Sequence, residues 1–243
     1  MTTPPPIPNE ENSPNMTRNF TFAPLPPDQS PALLLEALLK YPGQLIHELQ
    51  FNWRLSLTTW LTIFAVAGMA LYGLVVGSFA GGAQFWVAPA KLALGTTLSV
   101  LICLPSLYIF ACLSGIDANL RTVSGALFAS VGLGALLLVG FAPVAWIFSQ
   151  SSDSVAFMGT LHLILWGIGI HFGLRIIKGM SQLLSGRVGN QLRLWGLIFI
   201  AVCLQMTTTL RPIIAPGKTF FPREKKFFLD NWAESLGNGG KRP

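Results

Sequence analysis

From Leu55 to Ala90 the chain carries no charged residue, a run longer than the roughly 20 apolar residues that one membrane-crossing helix needs. The pattern predicts a first span at about 57–79 and a tight turn over Ala80-Gly81-Gly82-Ala83-Gln84-Phe85-Trp86, with Trp86 at headgroup level. A second span follows at 92–113, bounded by Lys91 and by a loop holding Asp117 and Arg121. Pro105 inside it predicts a kink and a freed carbonyl near Leu101. The third span occupies 122–148, with Pro143 near its end, and a polar turn Gln150-Ser151-Ser152-Asp153 closes it. The fourth covers 155–174 and ends at Arg175 and Lys178, where a basic loop with Gly186 and Gly189 begins. The fifth, 194–210, gives only about 25 Å of helix, and Arg193 and Arg211 at its ends can snorkel outward to lengthen it. The pattern thus gives five spans, or four if this last segment does not cross.

Ahead of the spans, residues 1–30 are broken by prolines at 4, 5, 6, 8, 14, 24, 26 and 27 and are expected to be disordered. A basic region followed by an apolar one is missing here, so no cleavable signal peptide is expected. The sequons Asn15-Met16-Thr17 and Asn19-Phe20-Thr21 matter only if this arm faces a glycosylating lumen. Ser30-Pro31 reads as an N-cap followed by proline at the first helical position. The helix it opens runs through Leu33, Leu34 and Leu35 with Glu36 and Lys40 paired at i,i+4, and stops at Pro42-Gly43. A second short piece, Gln44 to Gln50, sets Leu45, Ile46 and Leu49 against His47, Glu48 and Gln50. Both pieces in 31–50 are too short to cross and suit amphipathic helices in the interface or against the bundle. The tail 211–243 interleaves Arg223, Lys225 and Lys226 with Phe220, Phe221, Phe227, Phe228 and Trp232, a pattern suited to an anionic membrane surface and not to nucleic acid.

Composition fixes the class. Of the 243 residues 51% are hydrophobic and 11% charged, where a soluble domain has roughly a quarter charged. Such a chain cannot coat a water-soluble core, and the same figures exclude a disordered or disulfide-stapled one. The fold class is therefore an all-α polytopic transmembrane bundle, with the transmembrane domain at 55–210. The net charge of +6 lies in loops and tails. Counting Lys and Arg in short loops places the N-terminus in the cytoplasm, with Arg54, Arg121, Arg175, Lys178, Arg187 and Arg193 inside and Lys91 in an outer loop. Five spans then leave the basic tail outside, a conflict that disappears if the fifth segment is re-entrant. Cys103, Cys112 and Cys203 all lie in apolar runs and read as small apolar filler.

Candidate chemistry is sparse. Ionisable residues inside a membrane mark transport or catalysis, and only His162 and His171 stand within the spans. Nine positions apart, they face opposite sides of a helix and cannot share a metal. His162, one turn before Trp166, suits a helix–helix hydrogen bond. His171 shares a face with Arg175 and Lys178, a place for lipid headgroups. No nucleophile elbow, zinc-protease pattern, paired carboxylates or phosphate-cradling loop is present, so neither enzyme activity nor a metal or cofactor is expected. Gly73, Gly77 and Gly81, and again Gly169 and Gly173, form GxxxG grooves that let helices pack closely, within the bundle or against another integral membrane protein.

The polar arm, the Leu-rich helix ending in Tyr41-Pro42, about five spans, the turn from Gly77 to Gly82 and the step Leu104-Pro105-Ser106-Leu107 together resemble the Yip1-type membrane-domain family. The resemblance covers about residues 32–210 and implies a non-enzymatic, multi-pass scaffold or partner subunit, whose interfacial helices and basic tail are expected to grip the anionic leaflet. It implies the bacterial cell membrane first and a eukaryotic endomembrane second. The long basic-aromatic tail departs from that family's short C-terminus. The alternative reading is a transporter or channel subunit with a pathway along Gln84, Ser99, Ser106, His162 and Gln205, opened by the Pro105 kink.

Overall fold

The structure, a computed structural model, describes residues 24–26, 30–52, 54–80, 82, 84–152, 154–185 and 189–209. The sequons, the tail 211–243, Gly81 and Arg187 lie outside the described residues. Among the described residues seven helices follow one another: α1 (Pro31–Lys40), α2 (Pro42–Phe51), α3 (Leu55–Ala80), α4 (Gln84–Leu113), α5 (Leu120–Ser151), α6 (Val155–Ser185) and α7 (Asn190–Thr209). Among the described residues there is no strand, and the all-α bundle is confirmed. Among the described residues four helices, within α3 to α6, are long and apolar enough to cross a membrane, while α7 is a shorter apolar helix. This fits an integral membrane protein, with four helices able to cross and α7 as the short fifth member of the bundle.

The two short helices form where the capping residues put them. Ser30 Oγ accepts the Leu33 amide at 3.3 Å and Pro31 opens α1. Glu36 and Lys40 pair at 3.0 Å on the exposed side, and this hydrogen bond, then the carboxylate's charge, holds the Lys40 ammonium above its ordinary range. Pro42 does not simply end α1. It starts α2, because a proline at the first helical position gives up only an amide that would have no partner anyway. α2 buries Leu45, Ile46 and Leu49 on the bundle. It is fastened there by Thr122 Oγ1 donating to the Leu49 carbonyl at 3.1 Å and by Gln50 Nε2 donating to the Asp117 carbonyl at 2.9 Å.

The buried Glu48 carboxylate accepts from Asn52 Nδ2 and from the Leu25 amide, each at 3.2 Å. Leu25 is itself buried, so part of the arm expected to be disordered is tied down. Removing one partner from a buried hydrogen bond costs about 1–2 kcal/mol. Glu48→Ala is accordingly expected to raise amide hydrogen exchange at Leu25 by about tenfold or more, with α3 to α6 unaffected.

In the bundle, α3 packs on both α4 and α5, α5 packs on α6, and α4 packs on α7. α6 touches α7 only lightly and makes no comparable contact with α4. Two sequence expectations need correction here. The second span begins at Gln84, not near Leu92, so Lys91 lies inside α4 and is fully buried. It therefore belongs to no outer loop, and the helix interiors are not free of Lys. α6 likewise continues through Arg175 and Lys178 to Ser185, both cations being exposed on the helix surface. They do not stand in a loop, because a long basic side chain can leave an apolar helix without ending it.

Candidate functional site

A cavity of about 140 Å³ opens between α4 and α7 on one side and α6 on the other, in the gap that the light α6–α7 contact leaves. α3 and α5 form its floor, with Met69 and Val76 from α3 and Val131 and Leu138 from α5. Trp166, Ile170 and Leu174 of α6 and Phe199, Cys203 and Leu204 of α7 complete a lining that is mostly apolar.

Small residues make this space possible. A Cβ added at Gly169 would stand 3.1 Å from the Gly134 carbonyl oxygen, and one at Gly173 would stand 2.5 Å from that of Ser130. α5 and α6 therefore touch backbone to backbone at the edge of the cavity. On the other side, a Cβ at Gly73 would lie 2.5 Å from Pro89 Cα, so α3 and α4 meet with similar closeness. Gly77 is buried as well. Gly73, Gly169 and Gly173 all spend their grooves on contacts inside the chain.

The polar part of the lining gathers near the α3–α4 and α5–α6 turns. Lys91 stands seven positions after the start of α4 and His162 seven after the start of α6, each about 10 Å along its helix. Tyr72 of α3 lies at the same end and is buried, as is His162. The Tyr72 hydroxyl and His162 Nδ1 are 2.7 Å apart, and their rings meet edge to face at 5.6 Å. A buried hydroxyl proton needs an acceptor, and Nδ1 supplies it. In the neutral imidazole the ring proton then sits on Nε2. That atom is buried and has no hydrogen-bond partner in the structure. Thr96 and Ser99 of α4 and Ser130 of α5 add hydroxyls farther along the cavity, Ser99 Oγ donating to the Gly95 carbonyl at 2.8 Å.

Of the residues singled out in the sequence, His162, Ser99, Gly169 and Gly173 line this cavity. His171, Arg175 and Lys178 lie exposed on α6, with the Arg175 guanidinium 5.7 Å from the centre of the Phe172 ring. Ser106 serves elsewhere, accepting from Trp195 Nε1 at 3.2 Å. Gln205 is exposed, and the side chain of Gln84 is outside the described residues. The pathway Gln84, Ser99, Ser106, His162, Gln205 is therefore not assembled as one lining. Tyr72 and Lys91 had not been singled out. Tyr72 stands in an uninterrupted apolar run, and Lys91 reads as the border of a span. Among the described residues no cluster of His, Cys, Asp and Glu is arranged to hold a metal.

Comparison with known proteins finds no matching family model, no similar curated protein and no similar solved structure.

Proposed function

We propose that this integral membrane protein is non-enzymatic and binds a small molecule within its helices, as a transporter or channel subunit does. One observation carries the reading: His162 presents an unpartnered Nε2 from the wall of a cavity. Polar groups inside a membrane protein are expensive to leave unpaired, and those that persist mark ligand and ion pathways. The test is flux. Protein reconstituted in liposomes is expected to move an ion or small solute, followed with a panel of fluorescent reporters, and His162→Ala is expected to lower the rate about tenfold or more. Flux no greater than in empty liposomes, or equal flux from the variant, rejects this reading.

A second reading, a Yip1-like scaffold or partner subunit, is favoured by the outer face of α4. Leu94, Leu98, Leu101, Ile102 and Ile109 are exposed there at helical spacing, a stripe that suits either lipid or a neighbouring helix. Because the glycine grooves are filled from within, this stripe is the better candidate for a partner. Cysteines placed at 98 and 102 that cross-link to one membrane protein in native membranes support the scaffold. Cross-links to lipid alone reject it. In both readings the exposed His171, Arg175 and Lys178 face the headgroups of an anionic leaflet.

A further inference from the structure

We propose that the cavity holds a single-chain amphiphile whose head offers hydrogen-bond-accepting oxygens, a long-chain carboxylate being the simplest case. This rests on reading the cavity as a small-molecule site and goes further by naming the class of occupant. The head follows from the polarity of the wall. With the Tyr72 hydroxyl proton assigned to His162 Nδ1, 2.7 Å away, the neutral ring carries its own proton on Nε2, a buried atom without a partner. Lys91, whose ammonium donates and does not accept, lines the same cavity from α4. A donor at Nε2 is satisfied by a ligand that brings an acceptor, and a carboxylate brings two oxygens and no proton.

The tail follows from the rest of the lining. Beyond the His162–Lys91 level the walls are mainly apolar, with Trp166, Ile170, Leu174 and Phe199 interrupted by the hydroxyls of Thr96, Ser99 and Ser130. The polar end lies about 10 Å from the helix starts and the apolar part runs farther into the bundle. Head near one membrane face and tail toward the middle is the arrangement an amphiphile already has in a leaflet. The volume of about 140 Å³, close to that of a cavity that holds benzene, takes the first part of one alkyl chain and not two, the remainder of the chain lying along the open side. α4 and α6 make little mutual contact, which leaves a side along which such a chain can slide in from the bilayer without first passing through water.

The test uses full-length protein in mixed micelles, irradiated with a long-chain fatty acid carrying a diazirine near the end of its tail. Adducts are expected on peptides holding Trp166 to Leu174 and Phe199 to Leu204, and excess unlabelled fatty acid should reduce them about tenfold. The alkylammonium analogue of the same chain, which brings donors to a donor site, should label these peptides about tenfold less. His162→Phe removes the donor, with a similar expected drop. Thr96→Trp fills the cavity from α4 without touching the His162–Tyr72 pair, and keeps the test decisive should His162→Phe fail to fold.

Equal labelling by the ammonium probe overturns the proposal. So does undiminished labelling in a folded variant, or adducts confined to the outer face at Leu94, Leu98 and Ile102. Labelling only by a diazirine phospholipid overturns the single-chain assignment. The two readings fail separately: specific labelling without flux sinks the transporter and keeps the amphiphile site, while His162-dependent flux without labelling does the reverse.

Discussion

Gly73→Leu is expected to keep α3 and α4 from closing, with a loss of about 3 kcal/mol or failure of the bundle to assemble. A Cβ at this position would lie 2.5 Å from Pro89 Cα and 3.0 Å from Pro89 N. Both are backbone atoms, so no rotamer change relieves the clash, and one helix must move away from the other. In a bilayer, where lipid tails are as apolar as leucine, close packing is much of what holds helices together. Separating them therefore forfeits contacts along the whole α3–α4 seam. Gly173→Leu, whose Cβ would meet the Ser130 carbonyl oxygen at 2.5 Å, should behave alike at the α5–α6 seam. Gly140→Ala and Gly167→Ala serve as controls, since a Cβ at either meets nothing within 4 Å. Unfolding in mixed micelles, titrated with a denaturing detergent, distinguishes them. Controls that unfold as early as the seam variants would refute the distinction.

The second large effect is expected at Trp195. It is fully buried, stacks on Phe199 with ring centres 5.3 Å apart, and donates its Nε1–H to Ser106 Oγ at 3.2 Å. Ser106 Oγ in turn donates to the Cys103 carbonyl at 2.8 Å, beside the stretch where Pro105 interrupts the ladder of α4. Trp195→Ala leaves a void of indole size and takes from Ser106 Oγ the donor it accepts from, and large-to-small changes of this kind cost about 3–5 kcal/mol. Because α7 is held mainly by α4 and only lightly by α6, the loss falls on one docking surface. Limited proteolysis should then cut between α6 and α7 while α3 to α6 stay resistant. Trp195→Phe, which keeps a ring, should recover much of the protection. An α7 that stays docked in the Ala variant would show that Trp195 is not its anchor.

These two residues show what was legible in the sequence and what was not. The long apolar runs reveal α3 to α6, because hydrocarbon tolerates them and water does not, but not where α4 begins or where α6 ends. Ser30-Pro31 marks the start of α1 because capping is a local matter. Gly73 and Gly173 were recognisable as small residues at helical spacing. What fills their grooves was not, since Pro89 and Ser130 belong to other helices. Lys91 was misplaced for a related reason. Along a chain, a charge inside an apolar stretch looks like its border, whereas in the bundle Lys91 is buried and lines a cavity to which α3, α5, α6 and α7 also contribute. Tyr72 stayed hidden because its partner His162 is 90 positions away. The cavity arises from a thin α6–α7 contact, and no periodicity in a single helix encodes that.

The depth of Lys91 also bears on how the chain enters its membrane during synthesis. A lysine at the centre of an inserting helix is penalised by about 2.5–3.5 kcal/mol, less toward the ends. α4 therefore leaves the insertion machinery more readily as a hairpin with α3, whose Gly73 gives Pro89 its seat, than as a lone segment. Biogenesis should accordingly proceed pairwise, with α3 retained until α4 arrives. Lengthening the short connection at Gly82 should then produce nascent chains in which α4 is stranded outside the bilayer.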